Sequence, residues 1–187
     1  ITVDPLGWRK PGCSKAAGNI AMTFAGDEVR VDALSLAGDG VDIAGTLSFD
    51  KVGVLQSAAL RRFYLEGGAE LSIMADRDGT GVLGLTAVGP FLNAGPMIEQ
   101  MLEGQDDGAE ASSFNWGAGL AVQARIDQIA MRNGIEYSDG ALDMRRDSEK
   151  LQALDFTAIG EDGLPLTDAM SLTGASDGPQ RSIVART

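Results

Sequence analysis

The chain has 187 residues, 44% of them hydrophobic and 22% charged, a composition that folds and that suits one large domain or two small ones. Its net charge of −12, from 27 acidic against 15 basic residues, repels nucleic acid and anionic bilayer surfaces and so disfavours a DNA, RNA or lipid-headgroup reader. With no histidine and only Cys13, it has no internal disulfide, no cysteine-based metal site and none of the commonest general bases or zinc ligands, which leaves any catalysis to carboxylates, Lys, Tyr or Ser.

The chain opens on Ile1-Thr2-Val3 without a signal-peptide pattern, and no apolar run approaches the ~20 residues of a membrane span. Trp8 and Trp116 each stand at the start of a repeat-like region and are expected in the core, because an exposed indole wastes a large apolar area. From there period-two alternation predicts strands over 20–25, 28–37, 41–50, 54–65, 69–76, 80–88, 116–131, 135–144, 151–159, 164–173 and 182–186. Gly, Asp and Asn punctuate them at Gly26-Asp27, Gly38-Asp39-Gly40, Gly67-Gly68, Asp78-Gly79, Asn133-Gly134 and Asp162-Gly163. Such short connections join antiparallel neighbours, so a meander is expected. The exception is GPFLNAGPMIEQMLEG, where Met97, Ile98, Met101 and Leu102 share one face of a short helix over 96–103. Acidic, small residues over 104–113 then read as a linker between a first β-repeat (1–103) and a second (114–187). The end at Ser182-Ile183-Val184-Ala185-Arg186-Thr187 reads as mid-strand, and the whole as a piece of something longer.

The hairpin over 31–50 recurs over 126–144. Val31-Asp32 matches Ile126-Asp127, Leu34 matches Ile129, Leu36 matches Met131 and Gly45-Thr46-Leu47 matches Gly140-Ala141-Leu142, all at an offset of 95, while Leu55-Gln56 matches Leu151-Gln152 at 96. In both copies the apolar parity slips at the same place, from Val29, Val31 and Ala33 to Leu34 and Leu36 and from Leu120, Val122, Ala124 and Ile126 to Ile129 and Met131, which predicts a β-bulge that re-aims the strand. An extra residue near Ser138-Asp139 predicts another.

Three catalytic patterns occur without their required context. Asp76-Arg77-Asp78-Gly79-Thr80 resembles the nucleophile loop of haloacid-dehalogenase-type phosphatases, but no βαβ unit surrounds it, and a hairpin turn with Gly at its positive-φ position is expected instead. Gly79-Thr80-Gly81-Val82-Leu83-Gly84 fits a dinucleotide fingerprint only if a helix starts there, and a strand is expected. Gly174-Ala175-Ser176-Asp177-Gly178 fits a nucleophile elbow, but a Ser–His–acid triad needs a histidine. Asp76, Asp78, Asp106 and Asp107 lack the closing Glu of a calcium loop and read as solvated turns. No catalytic residue, cofactor or metal site is expected.

Each strand has one apolar and one polar face. Val41, Ile43, Leu47 and Phe49 alternate with Asp42, Ala44, Thr46 and Ser48; Ile135 and Tyr137 begin the equivalent run, Leu142 and Met144 resume it, and Leu154 and Phe156 continue on the next strand. An apolar sheet face needs cover, and one short helix supplies little. The expected fold is therefore all-β with one short helix: an antiparallel, strongly curved meander built from two similar repeats, forming an open groove or a sandwich. These ten residues are the candidate lining of a groove for a phospholipid or another acyl-chain ligand.

The motifs that begin and end this pattern resemble a known family. Trp8-Arg9-Lys10-Pro11-Gly12 leading into the meander, Val88-Gly89-Pro90-Phe91 leading into the helix, and Asn133-Gly134 followed by Gly140-Ala141-Leu142-Asp143 and Leu151-Gln152-Ala153-Leu154-Asp155-Phe156-Thr157-Ala158 look like the AsmA-like proteins, in the YhdP branch. The resemblance implies a non-enzymatic module of a long periplasmic chain, anchored in the inner membrane by a helix outside this segment. It also implies a continuous β-groove carrying phospholipid toward the outer membrane, with the rest of the same chain as partner. The alternatives are a structural or partner-binding β-domain of envelope assembly with a closed core and, remotely, a divergent hydrolase.

Overall fold

The fold was obtained as a computed structural model, which describes residues 2–3, 6, 8–9, 15–96, 118–131, 134–147, 151–171 and 182–186. Thirteen strands run in chain order: β1 (Thr2–Val3), β2 (Trp8–Arg9), β3 (Ala16–Ala25), β4 (Glu28–Gly38), β5 (Val41–Asp50), β6 (Leu55–Leu65), β7 (Ala69–Arg77), β8 (Val82–Asn93), β9 (Gly119–Ala130), β10 (Glu136–Asp147), β11 (Leu151–Gly160), β12 (Pro165–Ser171) and β13 (Ser182–Arg186). The first two form a separate ribbon, and the other eleven make one sheet whose order follows the chain from β3 at one edge to β13 at the other. The sheet is curved and does not close. Among the described residues the β1–β2 ribbon is the only other sheet, and the curved, unclosed sheet is consistent with an open groove.

Turn chemistry fixes most of the neighbours. In the β7–β8 connection Gly81 N–H donates to Asp78 O and Asp78 N–H donates to Val82 O, both at 3.0 Å. This is a tight turn closed by a residue in the left-handed region, and Gly81 (φ 86) fills it. The positive-φ glycine expected at this turn is therefore Gly81 and not Gly79. The β5–β6 connection repeats the design, with Asp50 Oδ1 accepting from Val52 N–H at 3.0 Å and from Val54 N–H at 2.9 Å.

One pair departs from the expected meander. β8 and β9 run parallel, from Val82 opposite Gly119 to Asn93 opposite Ala130. The physical reason is the connection, which is the longest link between consecutive strands of the sheet and so can carry the chain back to its starting end. The two repeats therefore continue one sheet. Corresponding strands begin at 41 and 136, 55 and 151, and 69 and 165, offsets of 95, 96 and 96. Gly95 and Pro96 begin the expected helix, with Gly95 N–H donating to Asn93 Oδ1 at 3.2 Å; the rest of it, the linker over 104–113, Trp116 and Ser176 lie outside the described residues.

The parity slip occurs in both copies. In β4 burial passes from Val31 to Leu34, and the extra residue is Asp32, where the ladders to both neighbours shift register. In β9 burial likewise passes from Ile126 to Ile129, but neither ladder of β9 shifts register there, so the bulge expected after Ile126 is not formed in that strand. The bulge expected near Ser138-Asp139 is present: the β10–β11 register shifts between Ser138 and Ala141, and Asp139 has φ 52.

Candidate functional site, the apolar face of the sheet

Register brings the apolar positions into bands that run across the strands. Val31 on β4 stands opposite Leu47 on β5, Leu47 opposite Ala58, and Ala58 opposite Ala75. The band goes on through Leu85 and Val122 to Met144 and Leu154. Met22 on β3 extends it at one edge, and the register positions of Met170 and Ile183 continue the row to the other. A second band, one step along the strands, links Ile20, Leu34, Gly45, Leu60 and Ile73, then Ala87, Ala124, Leu142 and Phe156. It stops at the register position of Asp168. At ~4.8 Å between strands, an eleven-strand band is roughly 48 Å long.

The first band is low at Ala58 and Ala75 and the second at Gly45, Ala87 and Ala124, with larger side chains between. Ala58, Ala75 and Ala87 are buried floor positions. Leu47, Leu55, Leu85, Val122 and Met144 stand around the cluster formed by Ala58, Ala75, Leu83 and Leu120, and remain half-buried. These five keep part of their apolar surface, whereas Leu83 and Leu120 within the cluster are buried. The opposite face is polar, with Arg62 paired to Asp42 at 2.5 Å and a cross-strand hydrogen bond of 2.9 Å between Ser48 and Ser57.

The ten expected lining residues divide into four groups. Leu47, Leu142, Met144, Leu154 and Phe156 lie in the two bands, as above. Phe49 is half-buried and pairs with Val29 and Leu55 near one strand end. Val41, Ile43 and Tyr137 lie toward the opposite rim. There the β1–β2 ribbon lays Trp8 over Val41 and Leu65, leaving each of these 1% exposed, so Val41 presents no surface to a ligand. Ile43 packs against the same cluster, and Tyr137 against Ala69, Leu71, Ile126 and Ile129. Ile135 precedes β10 and is exposed. The alternating strands over 54–65, 69–76 and 80–88 carried the signal for Leu60, Ile73, Ala75, Leu85 and Ala87, but which of them align across the sheet needed the register.

The phosphatase-like loop is a hairpin turn. Asp78 Oδ1 accepts from Thr80 Oγ1 at 2.6 Å, Thr80 N–H at 2.8 Å and Val82 N–H at 3.0 Å. These bonds, the Thr80 hydroxyl foremost, hold the carboxyl of this exposed residue below its ordinary value of 3.8. Arg77 ties the same rim, donating from Nε to Leu55 O at 2.9 Å and from a terminal nitrogen to Gly81 O at 2.6 Å. The fingerprint-like glycines run into β8, a strand. Among the described residues no cluster of His, Cys, Asp or Glu could hold a metal ion.

A pH dependence follows from Asp78. A depressed folded value means that its turn contribution is fully present above the unfolded value and disappears as pH falls through the folded one. Carbon-13 NMR titration should place its midpoint below that of an unstructured aspartate, and Thr80→Ala should move it back up.

Scanning the sequence against protein-family models gives no match, and neither the curated proteins nor the solved structures give one.

Proposed function

We propose that this chain is a non-enzymatic module of an AsmA-like periplasmic protein, and that its apolar bands form part of a groove carrying phospholipid between the inner and outer membranes. One observation supports this above the others: the apolar bands run perpendicular to the strands across a single curved sheet that does not close. Every strand added at an edge would lengthen such a track without altering its cross-section, which is what a conduit spanning two membranes requires. An acyl chain gains about 0.8 kcal/mol for each methylene it buries. Alanine floors flanked by Leu47, Leu85 and Met144 give such a chain a place to lie. The polar opposite face stays in water.

The experiment is gentle purification of the folded chain followed by organic-solvent extraction and mass spectrometry. Phospholipid in stoichiometric amount supports the reading; extraction of none from a folded protein opposes it.

A second reading, a structural or partner-binding β-domain with a closed core, is favoured by the buried clusters on this face, where Leu83, Ile126 and Ile129 are buried as well as Val41 and Leu65. Under Trp8 the protein covers Val41 and Leu65 with its own side chains. If that pattern held across the whole face, the bands would be core, and substitutions in them would act on stability and not on lipid.

A further inference from the structure

The β3 edge is built to accept another strand. Among the described residues β3 pairs with β4 alone, leaving the other side of a ten-residue strand with open backbone groups. Edges of this length are ordinarily blunted by Lys, Pro, an inward charge or a bulge. The sequence AAGNIAMTFA has no charge and no proline, and the extra residue at the β3–β4 register shift belongs to β4. Ile20, Met22 and Phe24 alternate along it and are 63%, 49% and 75% exposed, on the face that carries both apolar bands.

We infer that this edge pairs with the same edge of a second copy, antiparallel about a two-fold axis through Ala21. Parity restricts the register, and the axis through Ala21 is the one that sets Phe24 over Gly18 and Lys15 beside Asp27. Residues facing each other across an antiparallel ladder point to the same side, so a two-fold perpendicular to the sheet must pair even positions with even and odd with odd. With Ala21 opposite Ala21, Ile20 meets Met22 and the Phe24 ring covers Gly18, a bulky residue against the one position with no side chain. Just beyond each end of the strand Lys15 comes opposite Asp27, whose carboxylate is already 3.1 Å from Lys51. On the other face Ala17, Asn19, Ala21, Thr23 and Ala25 are small and uncharged, so nothing repels. In the pair the band that ends at Met22 meets the band that begins at Ile20 of the second copy, and both tracks continue across the axis. The inference does not need the bands to carry lipid; a strand from elsewhere in a longer chain is the competing occupant of the same edge, and a chain that stays monomeric is the result that occupant predicts.

The test begins with light-scattering mass across a concentration series for the full chain. A cysteine is then placed at Ala21 in a Cys13→Ser background, so that the lone thiols face each other within disulfide reach. The expected results are a dimer mass and a covalent dimer on mild oxidation with Ala21→Cys. Met22→Lys, at a half-exposed edge position that a monomer can hydrate, should give a folded monomer. Lys15→Asp should weaken the dimer and the added Asp27→Lys restore it. A monomer mass throughout the series, or a dimer in which Ala21→Cys does not cross-link, overturns the inference.

Discussion

Leu47→Asp should leave the protein folded and strip it of lipid. Leu47 lies mid-band between Val31 and Ala58 and is half-buried against the cluster of Ala58, Ala75, Leu83 and Leu120. If the band is open, the new carboxylate reaches water once the acyl chain has gone, so the cost to the fold is modest. The acyl chain, however, loses a leucine contact of roughly 1.5–3 kcal/mol, or about 10–100-fold in affinity. Circular dichroism should show the same sheet and the same melting temperature to within a few degrees, with bound phospholipid falling at least about tenfold. If the band is a closed core, an ionised carboxylate there costs several kcal/mol and the protein unfolds. The same carboxylate thus distinguishes a groove from a core, by which of two observables moves.

The second large effect concerns stability and contrasts two glycines that the repeat makes equivalent. A Cβ on Gly45 would sit 2.3 Å from Ala59 O and 2.8 Å from the Leu60 Cα. Both atoms are backbone of β6, at the point where the β5–β6 register shifts, so neither can turn aside. A Cβ on Gly140 would meet Ile129 Cδ1 at 2.2 Å and Cγ1 at 3.1 Å, the outer part of a side chain that has other rotamers. Gly45→Ala should therefore cost about 3 kcal/mol and Gly140→Ala about 1 kcal/mol, read as the difference in urea midpoint at equal slope. Equal losses would mean that β6 does not approach β5 as closely as this geometry has it.

Gly45 and Gly140 also show how far sequence alone reaches. Their matching position, the shared parity slip and the strand over 41–50 came directly from alternation, because a half-buried strand must alternate and a bulge must break the alternation. The extra residue near Asp139 was visible for the same reason. Other features were not. β1 and β2 have two residues each, too few for any period. The parallel pairing of β8 with β9 depends on where a long connection delivers the chain, which local pattern does not encode. The bands themselves depend on register, and single extra residues at Asp32 and near Arg61 shift it in ways that turn residues do not announce. Half of the candidate lining residues fell in the bands because their parity was right. Val41 did not line an open surface because Trp8, distant in sequence, came to cover it.

Covalent capture by a phospholipid with a photoactivatable acyl chain tests the groove most directly, with adducts mapped by peptide mass spectrometry. The adducts should fall on tall residues of the bands, such as Leu47, Leu85, Val122 and Met144, and spare the polar face around Asp42, Ser48 and Arg62. Adducts spread equally over both faces, or a folded protein that takes up no label, would contradict the account.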